Sequence, residues 1–283
     1  MELRNITQIK QIIRRAIAED RTRQDLTTKL LIPEAQTSRA SIVAKARGII
    51  AGTKITKQVF LEVDPKLEVT ILLKDGTEVK PGNIVASIKG KTSSILKAER
   101  VALNFLQRLS GIASETSRYV QAVEGMHVYI TDTRKTTPGL RTLEKDAVRV
   151  GGGVNHRMHL ADGILIKDNH IAALRHQGLT IKEIIVKARK NAPPGLKIET
   201  EVKTPEEAAQ ASEAGADMIL LDNMNLEDML QAVRSVKGRA LIEASGGITL
   251  ENVRAVAETG VNRISIGALT HSAKALDLSL ELE

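Results

Sequence analysis

Ile6, Ile9, Ile12, Ile13, Ala16 and Ile17 recur at helical spacing, which predicts an amphipathic helix ending at Glu19-Asp20. Arg21–Pro33 then reads as a loop. From Ser38 to Ile95 the period drops to two: Arg39–Ala46, Leu67–Leu73 and Asn83–Gly90 alternate as strands, with Asp75-Gly76 and Pro81-Gly82 as turn signals. Helical spacing returns over Leu96–Val123 through Val101, Leu106, Leu109 and Ile112. Beyond residue 128 short apolar runs alternate with helical stretches. The runs are Val128–Ile130, Gly163–Ile166, Lys197–Thr200, Met218–Leu221, Ala240–Glu243 and Arg263–Ile266. Thr204-Pro205-Glu206-Glu207 is a helix start with a capping threonine and proline at the first helical position. Asn225 and Thr249 read as further caps.

Alternation of this kind means parallel strands joined by crossover helices. An open doubly wound sheet is one solution, but no GxGxxG follows the first strand. A second regularity favours a barrel. Each run is followed at once by polar, charged or glycine residues: Asp132/Arg134/Lys135, Lys167/Asp168, Glu201, Asp222, Ser245-Gly246-Gly247 and Gly267. In a parallel barrel the carboxyl ends of the strands share one face, where the chemistry sits. The expectation is an incomplete or distorted parallel α/β barrel over residues 112–283, closing in a helical segment, preceded by a smaller α+β domain over residues 1–111.

Charge and composition narrow the partners. The 283 residues carry a formal net charge of +7, which suits a polyanion. Two tyrosines, two phenylalanines and no tryptophan leave few platforms for stacking bases, and no zinc-finger spacing or basic-region helix is present. A small phosphorylated molecule fits better than nucleic acid. With no cysteine, disulfides, thiolate metal sites and a cysteine nucleophile are excluded. No run approaches the ~20 apolar residues of a membrane helix, so the expected location is cytoplasmic.

Much of the excess charge lies between Tyr129 and His170, in Arg134, Lys135, Arg141, Lys145, Arg149, Arg157 and Lys167, around a Gly151-Gly152-Gly153 turn. A solvated basic face is the plain reading of scattered cations. Cations at strand ends beside glycines point instead to a site for a multiply anionic small molecule. Arg134 and Arg157, with His156, suit carboxylates, because the guanidinium fork matches them bidentately. Lys135 and Lys167 suit diphosphate as point cations. Ser245–Gly247 and the Ser265-Ile266-Gly267 turn offer backbone N–H groups to a phosphate monoester. Glu201 and Asp222 end neighbouring runs, and such carboxylates hold Mg²⁺ together with substrate phosphates, contact ribose hydroxyls, or form ion pairs with nearby lysines. Lys167 at a barrel strand end also admits a Schiff-base, aldolase-like reading.

Thr131–Arg141 (TDTRKTTPGLR), Gly151–Met158 (GGGVNHRM), Leu165–His170 (LIKDNH) and Lys97–Ser114 (KAERVALNFLQRLSGIAS) resemble, in this order and spacing, the quinolinate phosphoribosyltransferase family. The resemblance implies transfer of the phosphoribosyl group of 5-phosphoribosyl 1-diphosphate to quinolinate, with loss of carbon dioxide and diphosphate, giving nicotinate mononucleotide. It implies Mg²⁺ on the diphosphate, held through Glu201 and Asp222. It places quinolinate on Arg100, Arg134, His156 and Arg157, with Thr133 beside them. The phosphoribosyl diphosphate falls on Lys135, Lys167, Glu201, Asp222, Ser245, Gly246, Gly247, Ser265, Ile266 and Gly267. His271 matches a family histidine to which no physical role is assigned. The resemblance further implies a homodimer, alone or within a hexamer, in which the N-terminal domain of one chain covers the partner's active site. Departures from the family pattern are Asp146, His159 and Ala161 near the site, and Thr22 and Gln24 where glycines precede the Asp25 segment. A relative linked to molybdenum metabolism shares the fold and is the alternative within the family.

Overall fold

The computed structural model describes residues 3–283, and side-chain environments from residue 7 onward, so Ile6 of the first apolar stripe lies outside the described side chains. In chain order the elements begin with α1 (Leu3–Glu19), α2 (Leu26–Leu31), β1 (Thr37–Ala44), β2 (Gly48–Ile49) and α3 (Thr53–Val63). They continue with β3 (Glu68–Ile71), β4 (Glu78–Val79), β5 (Ile84–Lys91), α4 (Thr92–Ala122), β6 (Tyr129–Thr131), α5 (Arg141–Val150) and β7 (Ile164–Ile166). Then come α6 (Asp168–Arg175), α7 (Ile181–Asn191), β8 (Ile198–Val202), α8 (Pro205–Glu213), β9 (Met218–Asp222) and α9 (Leu226–Val236). The last are β10 (Leu241–Ser245), α10 (Val253–Glu258), β11 (Arg263–Ser265), α11 (Ala268–His271) and β12 (Leu278–Leu282). None of the described helices is long and apolar enough to cross a membrane.

The chain forms two compact units. The first runs to Ser117 and takes in Thr136–Gly152 and Leu269–Glu283; the second is Arg118–Lys135 with Gly153–Ala268. In the first, an antiparallel sheet has the order β12-β1-β5-β3. Alternate residues of β1 and β5, among them Ala40, Ile42, Ala44 and Ile88, are wholly buried, as the period of two requires. Ile9 and Ile13 are the buried residues of the α1 stripe.

Three features of this unit depart from expectation. Arg21–Pro33 is not a plain loop: Asp25 caps α2, its carboxylate accepting from the Thr28 N–H at 3.0 Å and from the Thr28 hydroxyl. Past α11 the chain is not helical. Leu278–Leu282 pairs with β1 in the register Ala40↔Leu282 to Ala44↔Leu278. Third, Arg141, Lys145 and Arg149 lie on a helix, α5, that belongs to this unit, whereas Arg134, Lys135, Arg157 and Lys167 belong to the other. Beside Lys145, Glu144 is fully buried and accepts from Arg108 Nη2 (2.9 Å), Arg108 Nε (3.1 Å), Thr137 N (3.0 Å) and Thr137 Oγ1 (2.8 Å). Arg108 also donates to the carbonyls of Ala273 (2.9 Å) and Thr270. Gly151 is required by packing: a Cβ there would sit 2.4 Å from the Ala113 carbonyl of α4.

The second unit is a six-stranded parallel sheet, β6-β11-β10-β9-β8-β7. β6 pairs with β11 on one edge, and Val154 bridges Thr131 on the other. His156, two residues on, nonetheless lies 3.1 Å from Glu199 of β8. In a flat sheet five strand spacings of ~4.8 Å would separate them by about 24 Å. The sheet therefore curls round on itself, an α/β barrel left incomplete between β6 and β7.

Candidate active site

Within the second unit the strand ends gather the expected residues. After β6, the fully buried Asp132 accepts from the His156 N–H (2.9 Å) and from Asn155 Nδ2 (2.6 Å), and so ties Asn155–His156 to the end of that strand. Thr133 Oγ1 accepts from the Lys135 N–H at 3.0 Å, turning the chain so that Lys135 stands exposed. Arg134 is half-buried and close enough to Arg157 for their charges to repel. Burial first, then this repulsion, push the Arg157 guanidinium below its ordinary pKa, against the pull of Glu199, Asp162 and Glu201. An anion placed near both guanidiniums would relieve this repulsion. Arg157 also donates to the Gly163 carbonyl from Nη1 (2.9 Å), and it lines a cavity of about 280 Å³ at the amino-terminal ends of β8, β9, β10 and β11.

Lys167 ends β7 half-exposed, 3.7 Å from Glu201 Oε1, while the first N–H of α6, from Asp168, donates to Glu201 Oε2 at 2.9 Å. Asp222 closes β9 and accepts from Asn223 Nδ2 at 2.9 Å. The next loop follows β10. Its Gly246 has φ +89° and Gly247 φ +62°, and Asn252 Nδ2 holds the Gly247 carbonyl at 2.9 Å. A Cβ on Gly246 would fall 2.3 Å from Asn223 Oδ1, so the turn and Asn223 are fitted to one another. Gly246→Ala is expected to keep the fold but lose about 1–2 kcal/mol to left-handed strain before the clash is counted, seen as a lower Tm. An unchanged Tm would show that the turn relaxes freely. Beside it, Ser265 and Ile266 are buried, and the Ile266 N–H donates to the Thr131 carbonyl at 2.9 Å.

Arg100 and His271 belong to the first unit. Arg100 stands exposed on α4, 4.0 Å from Glu99 Oε1, and His271 Nδ1 lies 2.6 Å from Ser272 Oγ. Of the departures, His159 caps a single 3-10 turn at Leu160–Asp162, and Asp146 pairs with Arg149 on α5.

His156 presents a different picture from a simple carboxylate receptor. Its Nδ1 accepts from the Arg157 N–H at 2.8 Å, and its Nε2 faces Glu199 (3.1 Å) and Glu243 (3.6 Å). Sequence reasoning missed Glu199 and Glu243. The signal was available, since each is an acid inside an apolar strand, in IETEV and LIEAS.

A parallel barrel whose strands run out into an arginine, lysines, carboxylates and a glycine turn is built as an enzyme for small polyanions. The chain belongs to the quinolinate phosphoribosyl transferase family: the profile of the family's N-terminal domain matches residues 25–110 and that of its C-terminal domain residues 112–281. It is 44% identical, over 98% of its length and 94% of the relative's, to the "Probable nicotinate-nucleotide pyrophosphorylase [carboxylating]" of Bacillus subtilis. It is 41% identical, over 97% of its length and 82% of the relative's, to "Quinolinate phosphoribosyltransferase [decarboxylating] 2, mitochondrial" of Nicotiana glauca. Among solved structures, NadC from Streptococcus pyogenes superposes with a TM-score of 0.92 at 42% identity, covering 98% of this chain and 97% of that one.

Proposed function

We propose that this protein transfers the phosphoribosyl group of 5-phosphoribosyl 1-diphosphate to quinolinate with decarboxylation, giving nicotinate mononucleotide, diphosphate and carbon dioxide in NAD biosynthesis. The family membership and the relatives' names support the reaction. The observation that carries it to this site is the gathering of Arg134 and Arg157, near enough to feel each other's charge, in one unit with Lys167, Glu201 and the Gly246 turn. Quinolinate is a dicarboxylate, and two neighbouring forks neutralise two carboxylates. Purified protein is expected to release labelled carbon dioxide from quinolinate only with phosphoribosyl diphosphate and Mg²⁺ present. Equal turnover of nicotinate, which has one carboxylate, would overturn the carboxylating assignment.

The roles divide by charge. Lys135 and Lys167 receive diphosphate, the backbone of Ser245–Gly247 and Ser265–Gly267 receives the 5-phosphate, and Glu201 and Asp222 face the ribose. The chain's own contribution is position and field: negative charge near the ribose carbon as it becomes cationic, and positive charge under the leaving group. Glu201 and Asp222 offer the hard oxygen donors Mg²⁺ prefers, with substrate phosphates supplying further ligands; bound there, the ion would neutralise diphosphate charge. A Schiff base at Lys167 has no comparable support, because that amine is half-exposed beside Glu201. Arg157→Ala is expected to raise the KM for quinolinate about ten- to a hundredfold, the cost of one charge-assisted contact, and Lys167→Ala to act mainly on the phosphoribosyl substrate. Exchange of the two effects in calorimetry would redraw this map.

The protein is further proposed to act as a cytoplasmic homodimer, alone or within a hexamer, with Arg100 contributed to the partner's site. Leu26, Leu30 and Leu31 of α2 support such pairing: they are 69%, 78% and 72% exposed, a run of apolar surface that a monomer keeps in water at a cost.

A further inference from the structure

Glu199 and Glu243 have been given no role in the reaction just described, yet burying them beside His156 is costly. Glu243 is fully buried and Glu199 nearly so, and neither Glu243 oxygen nor Glu199 Oε1 has a hydrogen-bond partner. Buried carboxylates without partners demand a cation or a proton. The three donor atoms lie within 4.8 Å of one another, the one such group among the described residues that could hold a metal. The Arg157 N–H decides between the two. It donates to His156 Nδ1, so that nitrogen carries the lone pair and Nε2 carries the hydrogen. A protonated Nε2 has no lone pair for a metal, and it points at Glu199 as a donor. The cluster is therefore held by protons.

We propose that Glu199 and Glu243 are positioning residues for the quinolinate-binding arginine: Glu199 accepts from His156 Nε2, Glu243 stands 3.6 Å away beside that contact, His156 Nδ1 grips the Arg157 backbone, and Arg157 is thereby set in place. The proposal rests on the role given to Arg157 above. Asp132 completes the grip by holding the His156 N–H, so the ring and the backbone on both sides of it are fixed.

The charge state follows from the surroundings. Glu243 faces Glu199 from β8, His156 from the segment beside β6, and Arg263 from β11. Burial, then the Glu199 charge, push its carboxyl from 4.5 up to about 7, against the opposing pull of His156. Below about pH 7 Glu243 is neutral and Glu199 alone receives the imidazole N–H. Above it, a second buried charge appears beside the first, and the grip on His156 is strained. His156 and Glu199 both line the cavity at the strand starts, which lets the proton exchange with water from that side.

The test is steady-state kinetics across pH 6–8.5 on the intact protein, with both substrates varied. In the wild type the KM for quinolinate should rise above pH 7. In Glu243→Gln, which keeps the shape and cannot ionise, it should stay flat. Glu199→Leu, which removes the acceptor of the imidazole N–H, should raise the quinolinate KM about tenfold at pH 6.5 with kcat and the KM for phosphoribosyl diphosphate nearly unchanged. Should Glu199→Leu fail to fold, the Glu243→Gln profile still decides. A wild-type profile that Glu243→Gln leaves unaltered overturns the proposal, as does stoichiometric Zn²⁺ bound by the wild type and lost in Glu243→Gln. A wild type that fails to release carbon dioxide from quinolinate at any pH would instead overturn the function itself.

Discussion

Arg100→Ala and Lys167→Ala, each nearly inactive alone, should recover activity when denatured and refolded together. The two residues lie in different compact units of the chain, Arg100 exposed on α4 and Lys167 at the end of β7. If each active site takes Arg100 from one protomer and Lys167 from its partner, a mixed dimer contains one doubly damaged site and one intact site. Random pairing of equal amounts makes half of the dimers mixed, so about a quarter of the wild-type sites return. Sites built within single chains would each keep one lesion, and no activity would return. Full activity of Arg100→Ala by itself would remove that residue from the chemistry. The measurement needs only an activity assay and a size-exclusion profile confirming that both variants pair.

The second large effect is on stability. Arg108→Ala is expected to cost about 3–5 kcal/mol, because it leaves Glu144 buried with its charge uncompensated. The substitution also releases the Ala273 and Thr270 carbonyls that the same guanidinium holds. A fall in Tm on the order of 10 °C follows for a chain of this size. Replacing both partners, Arg108→Met with Glu144→Leu, should recover most of the loss, since two apolar side chains leave no buried charge behind. If the single substitution costs no more than an exposed pair would, below about 1 kcal/mol of stability, water reaches Glu144 and the ion pair is not structural.

The barrel was legible in the sequence because its strands announce themselves twice, by an apolar run and by the charged residues that end it. β8 and β9 each overlap their expected runs and add residues at the carboxyl end, Glu201-Val202 and Asp222. β12 was not legible, although Leu278, Leu280 and Leu282 alternate: five residues form a strand only against a partner, and the partner is β1. Arg21–Pro33 looked like a loop because its helix is six residues long and owes its start to the Asp25 cap rather than to an apolar stripe. In the site, Arg134, Lys167 and the Gly246 turn could be found from strand-end chemistry. Glu199 and Glu243 could not be brought together, because their contact depends on how far the sheet curls. Nor could the hydrogen bond that fixes the His156 tautomer be read from residue types.

The pairing of β1 with Leu278–Leu282 also bears on how the protein is made. Ser41 and Glu283, joined across that edge by a hydrogen bond, are 242 residues apart. A ribosome adding ~5–20 residues per second needs roughly 10–50 s to cover that distance. Throughout that interval the nascent chain presents one side of β1 as an open edge, the kind of surface that templates pairing with a neighbouring chain. The whole barrel is synthesised while this edge stands uncovered. Aggregation during expression should therefore begin at β1, and a chaperone that shields Thr37–Ala44 should improve yield without altering the finished enzyme.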